Sequence, residues 1–246
     1  MPGAGGAPRA PGPPRRSGYR AGMADVTDDP ADLLAAVKPR LRGWLHAGTF
    51  PVVLAAGAVL VALAPTTGSR LAALVFVVTA ALLFGTSAVY HRGTWSPRWA
   101  GVLRRADHSN IFLIIAGTYT PLAVTTLPPD DARSLLTLVW AGAAAGVVFR
   151  LFWIGAPRWL YTPVYVALGW VAVGYLGRFA DGGGTAVAVL VAVGGAVYSL
   201  GAVAYATKRP NPSPRWFGFH EVFHACTVLG FAAHSTAIAL ATYRLV

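Results

Sequence analysis

Six histidines stand in the chain: His46, His91, His108, His220, His224 and His234. His220 and His224 are four positions apart. Positions i and i+4 of a helix share one face about a turn apart, so two imidazoles there can chelate one Zn²⁺, with Zn–N distances of about 2.0–2.1 Å. Ser87 and His91 repeat the spacing on an earlier apolar run. His91 supplies a third nitrogen, and the Ser87 hydroxyl can orient the ring or hold a water on the metal, as outer-shell groups do. Three histidines with one open position form the pattern of a catalytic zinc site, whereas structural sites are closed by four protein ligands. Asp107, opening a further apolar run, is placed to accept a proton from the metal-held water or to fix its orientation. Cys226 is the only cysteine, which excludes a disulfide within the chain and any multi-cysteine metal site. Nitrogen and oxygen must therefore hold any metal.

Plainer roles exist for the same residues. His220 and His224 can be interfacial side chains bonded to loop carbonyls, His91 can snorkel at a helix end, and Asp107 can pair with Arg104 or Arg105. His108 points about 100° away from Asp107 on a helix and reads as structural. His234 shares the stripe of His220 and His224 but sits about 21 Å beyond His220 along the axis, too far for the same ion, so it reads as a packing or cavity residue. His46, at the mouth of the first apolar run, reads as interfacial. His220-Glu221-Val222-Phe223-His224 also matches H-E-x-x-H, the zinc metalloprotease signature with Glu as general base. Against a protease, the residues after His224 leave no further segment for the usual downstream ligand. Asp181, beside Gly182, Gly183 and Gly184, falls on the other side of the topology derived below. Glu221 is then a base for another hydrolysis or simply faces an arginine such as Arg215.

These groups need elements to carry them. Of 246 residues, 55% are hydrophobic and 12% charged, against about 25% charged in a typical soluble domain, and the mean hydropathy is +0.55. Too little polar surface remains to cover a water-soluble globule, and disorder of the whole chain is excluded by the same apolar content. Apolar runs occupy 47–64, 70–90, 109–127, 134–154, 160–178, 185–206 and 219–241, each near the ~20 residues that a bilayer-spanning helix requires. Proline and glycine punctuate the gaps. No run alternates with period two, which argues against a β-barrel, and helices satisfy their own backbone in lipid. The expected fold is all-α, a bundle of seven transmembrane helices over 47–246. Thr118, Tyr119 and Pro121 bend or pack the third of them.

The segment 1–29 is rich in Pro, Gly and Arg and reads as a disordered tail, with Met23 a second candidate start. Residues 30–46 place Leu33, Leu34, Val37, Leu41 and Leu45 near helical spacing among Lys38, Arg40 and Arg42, as in a short helix lying on anionic headgroups. Once the seven spans alternate sides, 16 of the 20 Lys and Arg fall on the N-terminal side. The positive-inside tendency then places the N-terminus in the cytoplasm and the C-terminus outside, in the plasma or inner membrane. The net charge of +11 is thus a matter of topology, with no nucleic acid as partner. Arg92, Arg98, Arg104 and Arg105 are topology determinants or lipid-phosphate contacts. On this topology His91, Asp107, His108, His220 and His224 all fall in one leaflet, where ionisable groups are functional candidates by default.

Ser87-Ala88-Val89-Tyr90-His91, Asp107, Gly117-Thr118-Tyr119-Thr120-Pro121, His220-x-x-x-His224 and the entry Lys38-Pro39-Arg40-Leu41-Arg42-Gly43-Trp44-Leu45-His46 resemble the hemolysin III family, the bacterial branch of the progestin and adipoQ receptor proteins. The resemblance covers about residues 35–245. It implies seven helices, an inward N-terminus and a zinc ion near the cytoplasmic leaflet, held by His91, His220 and His224, with Ser87 and Asp107 shaping the water position. It also implies a choice of activities, since related proteins include receptors and ceramidases and the family is named for haemolysis. The expected function is hydrolysis of a lipid amide or ester, with membrane lipid as both solvent and substrate. The alternatives are a membrane sensor with structural zinc and a pore-forming cytolysin. The oligomeric state is left open.

Overall fold

The computed structural model describes residues 38–153 and 155–244. The expected tail at 1–29 and residues 30–37 of the expected juxtamembrane helix lie outside the described residues. Over 38–43 the chain runs through turns, and the first helix, α1 (Trp44–Leu63), starts at Gly43, whose φ of 81° is in the left-handed region. A capping box between Thr66 and Ser69 opens α2 (Thr67–Arg92), satisfying backbone donors that the helix itself leaves free. Proline at the first turn starts both α3 (Pro97–Thr126) and α4 (Pro129–Phe152), a position where the missing N–H costs nothing. Then follow α5 (Arg158–Trp170), a 3₁₀ segment (Val171–Tyr175), α6 (Leu176–Gly183), α7 (Thr185–Thr207) and α8 (Phe219–Tyr243). Among the described residues there is no strand, only a bridge between Ser213 and Phe217.

Six stretches are long and apolar enough to cross a membrane: α1, α2, α4, the run Trp159–Gly183, α7 and α8. The expected third span, 109–127, lies within α3, which begins at Pro97 and extends through Arg98, Arg104, Arg105, Asp107 and His108. α3 is not among the six, and its first turns carry these polar residues ahead of the apolar stretch. They explain why its start escapes a reading of hydropathy, which sees only the apolar part of a helix. Buried side chains of α2, α3, α4, α6, α7 and α8, among them Phe84, Phe112, Leu135, Phe179, Val187 and Ile238, form one continuous core.

Between α5 and α6 the helical ladder is interrupted, and Tyr119 of α3 repairs it. Its hydroxyl donates to Gly169 O at 2.6 Å and accepts from Ala172 N at 2.6 Å. In lipid a freed backbone group has no water to turn to, so one buried phenol serves both sides of the break. The expectation that Tyr119 packs its span thus has a specific content. Tyr119→Phe is expected to destabilise the protein by about 1–3 kcal/mol, the cost of leaving a buried donor or acceptor unpaired, read as a lower unfolding midpoint in detergent.

Arg150, counted from sequence as a topology charge, has no solvent exposure and lies with its guanidinium 4.4 Å from the Tyr161 ring centre. Its charge is therefore held inside the bundle.

Candidate metal centre

Three helix ends meet at one site. The last two turns of α2 carry Ser87 and His91, the third and fourth turns of α3 carry Asp107 and His108, and the first two turns of α8 carry His220 and His224. One nitrogen from each of His91, His220 and His224 lies within 4.8 Å of the others. The Nε2 atoms of His91 and His220 are 3.3 Å apart, and the ring centres of His220 and His224 are 4.5 Å apart, as expected for side chains one turn apart on the same face. His224 is 2% exposed, and its Nδ1 has no hydrogen-bond partner among the described residues. A buried polar atom without a partner is costly. The three residues can hold a metal ion.

Asp107 Oδ2 is 3.7 Å from His91 Nε2 and 3.7 Å from His108 Nδ1, and Ser87 interacts with the same carboxylate. Both sequence-proposed partners of the triad are therefore beside it. His108 is closer to Asp107 than a 100° offset suggests, because its ring folds back to bond Arg104 O at 2.8 Å. Arg105 is spent on the carbonyls of Leu151 and Gly101. A cavity of about 310 Å³ opens beside the site and runs along the bundle, bounded by Asp107 and His220 at one end and His234 farther along α8. Its walls are mostly apolar, with Ile111, Ile115, Leu122 and Val191 among them. His234 bonds Val191 O at 3.1 Å and lines the cavity, well away from the triad.

A family model described as Haemolysin-III related matches residues 34–235. The chain belongs to this family. It is 33% identical over 162 residues to the Hemolysin-3 homolog of Bacillus subtilis (strain 168), covering 65% of this chain and 71% of that protein. It is 32% identical over 147 residues to Hemolysin-3 of Bacillus cereus, covering 58% of this chain and 65% of that protein. Family membership and the six apolar helices make it a multi-pass membrane protein.

Two features of this Haemolysin-III-related chain go beyond the sequence reading. His46, read from sequence as interfacial, is buried among the helices. It is 2% exposed and its ring stacks on His224 at a centre distance of 3.8 Å and an angle of 10°. A ring lying parallel on the face of His224 directs its own nitrogens past that residue's, so His46 would buttress the triad without joining it. The available signal was a histidine at the start of an otherwise apolar helix, itself a functional marker at membrane depth. Glu221, the acid of the H-E-x-x-H match, faces neither the cavity nor Arg215. Its Oε1 accepts from Arg42 Nε and its Oε2 from Gly218 N at 2.8 Å. Both carboxylate oxygens are engaged at the mouth of α8, so Glu221 does face an arginine, with Arg42 in the place of Arg215.

Proposed function

We propose that this protein is a zinc-dependent hydrolase of lipid amide or ester bonds, held in a seven-span bundle with its N-terminus cytoplasmic and its C-terminus outside. The observation that carries the reading is the convergence of three imidazoles and a carboxylate at the head of an apolar cavity. Two nitrogens on a tetrahedral zinc with bonds of about 2.0–2.1 Å stand roughly 3.3 Å apart, the separation of the His91 and His220 Nε2 atoms. Among the described residues three imidazoles offer a nitrogen to one point, and His220, His224 and Asp107 also line the cavity, whereas a structural site is closed by four protein ligands. All-nitrogen ligation suits zinc among the common ions.

A zinc ion there would supply Lewis acidity towards a carbonyl and activate water near neutral pH. His91, His220 and His224 would hold the ion. Asp107 takes a proton from the attacking water and returns it to the leaving group, the two halves of general acid–base catalysis. Ser87 steadies the Asp107 carboxylate. The apolar walls receive an acyl chain and exclude bulk water, placing the scissile bond where chain meets headgroup. The depth fits such a substrate. Trp44, Trp95, Trp99, Trp153, Trp159 and Trp216, all exposed, mark helix ends on the histidine side, as aromatic residues do at a membrane interface. For α3 to be the seventh span, its apolar stretch from Ile111 onward crosses while its charged first turns stay at that interface.

The test is turnover of a panel of N-acyl and O-acyl lipids by the purified protein in nanodiscs, with and without chelation. Chelator-sensitive release of fatty acid is the expected result. Stoichiometric zinc without any turnover would instead favour a sensor whose metal is structural. Release of dye from liposomes by added protein would favour a cytolysin.

A further inference from the structure

The turns at 38–43 make contacts out of proportion to their length, and all of them lead to the histidines. Arg40 N bonds Arg215 O at 2.9 Å and Leu41 N bonds Trp216 O at 3.2 Å, while the Arg40 guanidinium covers the Trp216 ring at 4.7 Å. The segment is thereby laced to the loop that leads into α8. Arg42 then pairs with Glu221, which lies between His220 and His224 in sequence and is 1% exposed. The next residue, Gly43, packs so closely on α2 that an added Cβ would lie 2.7 Å from His91 Cβ, and its φ is positive besides. Three residues on, His46 stacks on His224. One short stretch thus touches the ligand-bearing parts of both α2 and α8, elements that approach each other across 129 residues of sequence.

We propose that residues 39–46 form a strap that positions the metal ligands, with the Arg42–Glu221 pair as its fastening. The proposal rests on the reading that the triad holds a metal, and it gives Glu221 a positioning role in place of the base role its motif suggests. The reasoning is mechanical. The first turns of a helix lack intrahelical partners for their N–H groups, so the pitch and entry angle of α8 depend on what holds that end. Glu221 bonds Gly218 N on one side and Arg42 on the other, tying the helix start to the strap. The guanidinium plane fixes direction as well as distance. Gly43 transmits that fixed position to His91 because nothing larger fits between the two backbones. Loosening the pair frees α8 to shift relative to α2, and the three nitrogens no longer meet at one point.

Binding of Co²⁺ to the full chain in detergent, by competition with a chelator and by its visible ligand-field bands, tests the strap without using activity. Arg42→Gln and Glu221→Gln are expected to weaken Co²⁺ binding by about 10–100-fold, the usual cost of losing a group that orients a metal ligand, and to alter the bands. Arg42→Lys keeps the charge without the plane and recovers part of the loss. Leu135→Ala, a buried truncation on α4 at the other end of the bundle, controls for destabilisation alone and is expected to leave affinity within about twofold, as for independent sites. Should Arg42→Gln fail to accumulate, Glu221→Gln decides, being isosteric and uncharged. A wild-type chain that takes up no Co²⁺ overturns the metal reading and the strap with it. A wild-type chain that binds Co²⁺ while Glu221→Gln binds equally tightly with unchanged bands overturns the strap alone.

Discussion

The variant His220→Ala/His224→Ala is expected to lose the zinc proposed for the triad. Metal analysis of the detergent-purified protein is expected to give near-stoichiometric zinc for the wild type and background for the double variant. The size of the effect follows from geometry. The two residues supply two of the three nitrogens that gather within 4.8 Å, and His91 alone has no chelate partner. The scaffold should survive, because α8 packs on its neighbours through Thr227, Gly230, Ala237, Ile238 and Ala241, all buried farther along the helix. Retention of the helical circular dichroism signal and of a monodisperse elution peak separates loss of metal from loss of fold. Full zinc in the double variant would place the metal elsewhere.

Asp107→Asn has the second large effect, and its signature is the reverse. Zinc content stays at the wild-type level while turnover of the best lipid substrate falls by about 10²–10⁴-fold, the range ascribed to a positioned acid–base group. The substitution keeps the shape and the capacity to accept from Ser87 but removes the basicity. Because Asp107 is 3.7 Å from His91 Nε2 and outside the triad, affinity for the ion is not its main contribution. Equal turnover in Asp107→Asn and wild type would assign the proton transfer to another group.

Much of this site was legible in the sequence because charge is rare in the chain. With 12% charged residues, each ionisable group in an apolar run carries information, and His91, Asp107, His220 and His224 were traced to one end of the bundle by counting spans. Ser87 followed from helical periodicity. Groups whose meaning depends on distant partners were hidden. Arg42 and Glu221 are separated by 179 positions, and no local pattern couples them; the local pattern at Glu221 pointed instead to a protease. His46 looked like the edge of an apolar run because its partner, His224, comes from the other end of the chain. The break at Val171–Tyr175 was likewise invisible. It sits in an apolar run of ordinary length, and what makes it tolerable is a single phenol on another helix. The first turns of α3 lie outside the apolar run at 109–127 for the opposite reason, since they are helical yet too polar for a hydropathy reading to include.

The order of the triad along the chain has a consequence for biogenesis. His91 is made early and His220 and His224 come with the final helix, 129 residues later in the case of His220. A nascent protein halted anywhere short of α8 therefore holds only one of the three histidines that gather in the finished bundle. On the proposed reading, metal uptake would follow insertion and docking of the terminal helix, and metal content would report that this helix is in place.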